Sequence, residues 1–412
     1  MPNRLRRSYL GFQICFALLF WHPIFYDFQK RLGLSDREIL GIQSLYYVAF
    51  CLFEFPTGFL ADRLGRRLSA RLGAVIAVLA NIVPALCVEI GGLSQRSLYW
   101  GMLTHFMALA LARSLVSGAA SAYLYDQLKR VGRTEEYAPL EGKARAWSLI
   151  SRVFGWIGIG AAMQWHLSIP YWLTAAGAAA AFGFAWSLPE GGESEDFSKP
   201  TVSSPWMRIS EVFNAIRSTP TIGLTMAQGI AVFAMDRIVL VNLFQPILNA
   251  KELGLLAAGP VLAWVSITEA VAASQVKRFE KRFEVPRGTR VLVLTAIMGM
   301  SLGWMGWAGP RLTLALFTVY SLAAGFAYPL QRQAMNEAIP DSRFRATLIS
   351  VESLIDRAVC ALVAWLLVGF LERREVETFL HLTGLCTLVF VILVMILRRF
   401  AEAELPFSSD ER

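Results

Sequence analysis

The sequence predicts an all-α polytopic membrane protein whose twelve transmembrane helices form two pseudo-symmetric six-helix bundles. Three observations lead there. Of the 412 residues, 55% are hydrophobic and only 17% charged, whereas a soluble domain carries about 25% charged residues. The apolar residues gather in runs of roughly 18 to 29, long enough to cross about 30 Å of hydrocarbon as helix. The runs also lack the strict alternation of a membrane β-barrel.

Taken in order, the spans fall at approximately 9–28, 39–60, 72–90, 98–125, 145–166, 170–188, 220–248, 253–276, 291–308, 312–335, 347–370 and 377–397. Arg4, Arg6 and Arg7 before the first run imitate a signal peptide. No small-residue cleavage site follows, so the run reads as an uncleaved first helix. The longest polar interval, Pro189 to Ser218, holds GGESEDFSKPTVSSP. Gly, Ser, Pro and acids bury too little apolar surface to offset ordering, so this interval reads as a cytoplasmic linker. It divides the chain into an N-terminal bundle over 1–188, a linker over 189–218, and a C-terminal bundle with a short tail over 219–412. A weak repeat agrees with that division. RAWSLIS (Arg145–Ser151) opens the fifth span and RATLIS (Arg345–Ser350) opens the eleventh; Glu54 precedes Arg63 by nine residues and Glu269 precedes Lys277 by eight. Parallel half-repeats of this kind suit alternating access around a central site.

Charge sets orientation. The chain carries 39 Lys and Arg and a net charge of +8. Twenty-five of those cations fall on the side of both termini and eight on the other side. Cytoplasmic loops collect Lys and Arg, so both termini are expected in the cytoplasm, with the chain in a bacterial inner membrane. The same asymmetry accounts for the basic balance without a nucleic-acid partner. Cys15, Cys51, Cys87, Cys360 and Cys386 all lie within spans at unpaired spacing and read as small apolar packers. No two of the four histidines share ligand spacing, so no metal is expected, and nothing points to a cofactor. There is no G-x-x-x-x-G-K-[ST], so an ATP motor of that type is not expected.

The densest charge sits in GFLADRLGRR, Gly58 to Arg67, between the second and third spans. Gly58 and Gly65 would permit close helix approach and a tight reversal. Topology alone accounts for Arg63, Arg67 and Arg71, but it requires no acid at Asp62. The stretch resembles the loop 2–3 signature of the major facilitator superfamily at every specified position. FEFPTGFLADRLGRR with AYLYDQLK resembles bacterial drug and metabolite exporters of that superfamily. The resemblance covers about residues 8–400. It implies a conformational latch of Gly58, Asp62, Arg63, Gly65, Arg66, Arg67 and Asp126, in which Asp62 meets the start of the eleventh helix near Arg345–Thr347 and Arg66 meets Asp126.

Charges inside spans are costly, about 2.5–3.5 kcal/mol each on insertion scales, and so call for a reason. Arg113 lies near mid-depth of the fourth span, followed by the small residues SGAASA. This resembles the superfamily's helix 4 signature linked to proton coupling, although Gly118 follows Arg113 by five residues rather than four. Glu54 lies in the inner third of the second span, where a carboxyl suits reversible protonation. Asp27, Asp236, Glu269 and Asp356 complete the candidate proton-coupling set, each either a proton carrier or a permanently paired strut. Neighbouring Asp236–Arg237 and Asp356–Arg357 face about one hundred degrees apart, so each side chain needs a partner on another helix. Tyr46, Tyr47, His105, Gln228, Asn242, Gln245 and Trp264 place polar tips and rings within spans and are the candidate cavity lining, with packing as the alternative.

The expected function is secondary active transport, proton-coupled efflux of a small amphipathic drug, siderophore or metabolite by a monomer in membrane lipid. The alternative is a facilitator or proton symporter importing a nutrient or ion, because the exporter-type proline is absent from SRVFGWIGIGAA in the fifth span. No nucleophile or His/Asp pair near a surface supports a lipid enzyme.

Overall fold

Helices account for the regular structure of the computed structural model, which describes residues 2–117, 119–189, 220–338 and 342–403; no strand occurs among them. The first half comprises α1 (Pro2–Ala17), α2 (Phe25–Arg31), α3 (Asp36–Leu64), α4 (Arg66–Ile90), α5 (Gln95–Val116), α6 (Ala119–Arg130), α7 (Tyr137–Ile157), α8 (Ile159–Trp165) and α9 (Ile169–Trp186). The second comprises α10 (Pro220–Arg237), α11 (Phe244–Ala250), α12 (Gly254–Ser274), α13 (Val276–Arg282), α14 (Arg287–Met305), α15 (Pro310–Ala338), α16 (Ser342–Glu372) and α17 (Val376–Ala403). Each of the twelve expected spans overlaps helix among the described residues. Among the described residues, nine helices are long and apolar enough to cross a membrane, or ten if the bent pair α7–α8 is one span. The expected linker and the tail beyond residue 403 lie outside the described residues.

Local sequence explains the punctuation. Ser35 caps α3 in a reciprocal box: its Oγ accepts from Glu38 N at 3.3 Å, and Glu38 Oε2 accepts from Ser35 N at 2.8 Å. α3 and α4 are separated by Gly65 alone, at φ 95. A side chain would be strained there, so the reversal requires glycine. Gly58 is exposed, and a Cβ built on it would meet no described atom within 4 Å.

Several spans are interrupted. The first stops at Ala17 and resumes with a short 3-10 turn at His22–Ile24. The fifth bends by 44° between α7 and α8. The seventh passes through a π-helical stretch, Ile238–Leu243, between α10 and α11. Broken helices within a membrane are tolerated where they line a cavity or are buried in protein.

By backbone contacts the chain separates into two compact units. The first joins Met1–Lys199 to Val241–Ala263 and Ala361–Glu372. The second joins Pro200–Leu240, Trp264–Cys360 and Arg373–Arg412. In the first, α4 packs on α5 and α9, α3 on α5, and α1 on α7 and α9. In the second, α14 packs on α15 and α17, and α10 on α15. Large apolar side chains such as Leu79, Phe154, Trp365 and Val389 stay exposed. So much exposed apolar surface is what a lipid-facing exterior requires.

Candidate functional site

The first unit carries two polar assemblies. At the α3–α4 reversal, Arg66 is ion-paired with Asp126 on α6, and its Nη1 also donates to Ala122 O at 3.1 Å. Its neighbours do something different. Arg67 Nη2 donates to Trp186 O at 3.3 Å, and Arg71 donates to Ala185 O at 3.3 Å and Trp186 O at 3.0 Å. Arg71 also lies 4.4 Å from the centroid of the Trp186 ring. These two cations cap the carbonyl end of α9, where the helix dipole favours positive charge. Arg63 sits exposed in the last turn of α3. The side chains of Asp62 and of Arg345–Thr347 lie outside what the structure describes.

The second assembly lies near Asp27. Asp27 Oδ1 accepts from Asn249 Nδ2 at 2.7 Å, and Gln245 Oε1 accepts from Tyr26 N at 2.6 Å. Tyr26 Oη donates to Asp36, which Lys30 also meets at 3.0 Å. Ser44 Oγ donates to Ala361 O at 2.9 Å, and Tyr47 Oη lies 3.5 Å from Asn242 Oδ1. Tyr47, Asn242 and Gln245, expected in a cavity wall, are buried and hydrogen-bonded where α2 and α3 meet α11 and the π-helical stretch before it. Tyr46 packs with Phe50 and Phe106. His105 is fully buried: its Nδ1 contacts Ala80 O at 2.7 Å, and its ring meets Trp21, Phe106 and Tyr171. It is a packed histidine. Arg113 is exposed on α5, while Gly118 lies outside the described residues; Glu54 is partly buried on α3.

The second unit holds a charged core. Glu352 on α16 is wholly enclosed and pairs with Arg332 Nη1 of α15 at 2.7 Å. Arg332 lies over the rings of Phe233 and Tyr328, 4.3 and 5.7 Å from their centroids. One turn along α16, Asp356 is paired with Arg237 of α10 at 2.8 Å, so Arg237 does find its partner on another helix. Asp236 Oδ1 is buried without a hydrogen bond among the described residues. Glu269 is partly buried on α12. Gln228 Nε2 donates to Gln331 Oε1 at 3.0 Å, and Gln331 Nε2 donates to Thr225 O at 2.8 Å. Gly229 lets α10 press on this core. A Cβ there would collide with Glu352 and stand 2.6 Å from Gln331 Nε2.

Glu352 and Asp356, one turn apart on α16, therefore each hold an arginine from another helix, Arg332 and Arg237. Trp264 stands apart from these pairs, exposed, with Nε1 donating to Thr318 Oγ1 at 3.0 Å. A further network ties Arg287 and Arg290 of α14 to Glu280 at 2.7 and 3.3 Å, and Arg287 to Glu337 of α15. Among the described residues no group of His, Cys, Asp and Glu has metal-ligand geometry.

Comparison with known proteins decides the family. The family described as Major Facilitator Superfamily matches residues 8–355. The chain belongs to the major facilitator superfamily. Solved structures show the same fold at low identity. A mutant of the nucleoside transporter NupG superposes with a TM-score of 0.77 at 13% identity, covering 95% of this chain and 99% of that one. The POT family transporter PepTSo gives 0.74 at 11% identity, covering 98% and 99%. A POT family transporter in complex with 5-aminolevulinic acid gives 0.68 at 13%, covering 97% and 94%. No curated protein matches the chain. As a superfamily member it is a transporter, not an enzyme.

Sequence reasoning passed over Glu352 and Arg332. The signal was present: both are charges inside expected spans, and Glu352 and Asp356 at i and i+4 share one helix face. It also passed over Glu141 in the first unit, which accepts from Tyr9 Oη and, at 2.7 Å, from Ser121 Oγ.

Proposed function

We propose that this superfamily member is a secondary active transporter that exchanges protons for a small amphipathic molecule across the bacterial inner membrane. Glu352 carries the proposal. A wholly enclosed carboxylate with one arginine partner, 2.7 Å away, is a strut when ionised. When it takes up a proton, the attraction to Arg332 is lost, and the hold between α15 and α16 loosens with it. Two states of one core, differing by a proton, are what coupling requires. Asp236 and Asp356 share the same field and would set how readily that proton binds. Asp62, Arg66 and Asp126 would act as a cytoplasmic latch, and the Asp27–Asn249 assembly as the seal at the opposite end. Nine helices among the described residues, or ten with the bent pair, are long and apolar enough to cross a membrane, which supports a membrane location; the two bundles over 1–188 and 219–412 are the bodies that would alternate.

A second reading, uptake by proton symport, draws support from the similar solved structures described as nucleoside and peptide transporters. Inside-out vesicles separate the two. Compound addition that releases protons from the lumen supports exchange, and co-movement of compound and protons supports symport. Compound flux with no proton movement in either direction would refute coupling.

A further inference from the structure

In the second unit, α12 and α14 are each long and apolar enough to cross a membrane. Residues 275–286 join them and so lie at a membrane surface. This connection contains α13, with the sequence VKRFEKR. Its cations are Lys277, Arg278, Lys281 and Arg282. At 3.6 residues per turn they fall within an arc of about 140° around the helix. Phe279 and Glu280 fall outside that arc.

The two residues outside the arc fix how α13 sits. The Phe279 ring stacks on Phe326 of α15, with centroids 4.5 Å apart and planes at 20°, and meets Phe283 at 5.0 Å. Glu280 Oε1 accepts from Arg287 Nε at 2.7 Å and from Arg290 Nη1 at 3.3 Å, and Arg287 also pairs with Glu337 of α15. The one acid of α13 is thus neutralised by α14, and its ring is docked on α15. The four cations stay exposed, and none of their side chains makes an ion pair with a described residue. Glu284, the other acid of the connection, is exposed beyond the helix end. Topology asks only that a loop carry Lys and Arg. It does not ask that they share one arc while the acid turns to the protein. Just past the cations, Phe283 and Val285 are 51% and 42% exposed, immediately before α14 begins.

We propose that Lys277, Arg278, Lys281 and Arg282 bind the headgroups of anionic phospholipids in the surrounding bilayer, with Phe283 and Val285 set among the adjoining acyl chains. Charge complementarity selects the anion: a basic segment beside a membrane span is drawn to anionic lipid, and guanidinium and ammonium groups match phosphate oxygens. The exposed apolar pair selects lipid over a soluble polyanion, which would leave both side chains in water. Because α13 is tied to α14 and α15, a bound lipid braces all three helices. The proposal stands apart from the transport reading and holds for either direction of transport.

The test uses the purified full-length chain in micelles of an uncharged detergent, where membrane orientation plays no part. Phosphatidylglycerol, phosphatidylcholine, glycerol phosphate and polyglutamate are titrated in turn, with thermal unfolding and native mass spectrometry reporting binding. The two lipids carrying a photoactivatable diazirine on an acyl chain locate it. Phosphatidylglycerol is expected to bind at least about tenfold more tightly than phosphatidylcholine and to label residues 275–286. Each Lys or Arg near anionic lipid contributes about fivefold, so Lys281→Gln with Arg282→Gln should weaken binding about 25-fold. Lys129→Gln with Arg130→Gln removes the same charge from exposed positions at the end of α6 and should leave the affinity unchanged. Equal binding and labelling by the two lipids overturns the proposal, as does unchanged affinity in well-folded Lys281→Gln/Arg282→Gln. An equal loss in the α6 variant reduces the effect to net charge and overturns it too. Glycerol phosphate or polyglutamate binding as tightly as phosphatidylglycerol replaces the lipid with a free anion or a soluble polyanion. The labelling comparison on the unsubstituted chain decides even where a variant fails to fold.

Discussion

The Glu352–Arg332 pair predicts an asymmetry between two single substitutions and their combination. Arg332→Ala leaves Glu352 wholly enclosed with its charge unpaired, a situation that destabilises by about 3–5 kcal/mol. Glu352→Gln is milder. The amide oxygen still accepts from Arg332, whose side chain is 30% exposed and also rests on Phe233. Only the charge assistance is lost, about 1 kcal/mol. In the double variant no carboxylate is left buried without its cation, so Arg332→Ala with Glu352→Gln should be more stable than Arg332→Ala alone, by about 2 kcal/mol. Reversible unfolding in mixed micelles, run as a double-mutant cycle, measures this. A double variant no more stable than Arg332→Ala would show that Glu352 carries no buried charge, and the reasoning from the pair would fail.

Other substitutions read different contacts. Gly229→Ala drives a methyl into Glu352 and Gln331; thermal unfolding should reveal about 1–3 kcal/mol of lost stability, and a loss below about 0.5 kcal/mol would show that α10 is not held against this core. Asn249→Leu removes the hydrogen bond to Asp27 and should weaken the seal by about 1 kcal/mol, roughly a fivefold shift in population, read as faster thiol labelling of a cysteine placed at Ser44. Unchanged labelling would contradict that role. Arg66→Ala, which breaks the pair with Asp126, should slow transport more than it lowers stability, whereas Arg71→Ala, which uncaps α9, should lower stability by about 1 kcal/mol at near-normal transport. Equal effects of the two on flux would remove the distinction between latch and cap.

The all-helical membrane fold was legible because hydrocarbon thickness leaves few solutions: long apolar runs must become helices. Gly65 was legible as a reversal because two helices meet at one residue with φ 95. The role of Gly58 was not, since close approach depends on a neighbour that sequence spacing does not supply. Partners were the harder problem. Adjacent Asp236 and Arg237 looked alike from the sequence, yet Arg237 meets Asp356 at 2.8 Å while Asp236 Oδ1 is left without a hydrogen bond among the described residues. Asn242 and Gln245 carry polar tips that read as a cavity wall, yet both are buried, Asn242 within the π-helical stretch Ile238–Leu243 and Gln245 just after it. Glu352 lay inside an expected span on one helix face with Asp356, but spacing does not say whether that face is enclosed. Only the packing of α10, α15 and α16 shows it to be enclosed.

One measurement bears most directly on proton coupling through the charged core. Liposomes reconstituted with the purified chain are given an imposed pH gradient, and protein-dependent uptake of a membrane-impermeant probe, chosen because it thermally stabilises the purified chain, is followed with and without that gradient, in wild-type and Glu352→Gln protein. The account predicts gradient-driven accumulation by the wild type. Glu352→Gln should show only exchange down the probe's own gradient, at a comparable rate. Accumulation by Glu352→Gln equal to wild type, or wild-type flux indifferent to pH, would contradict it.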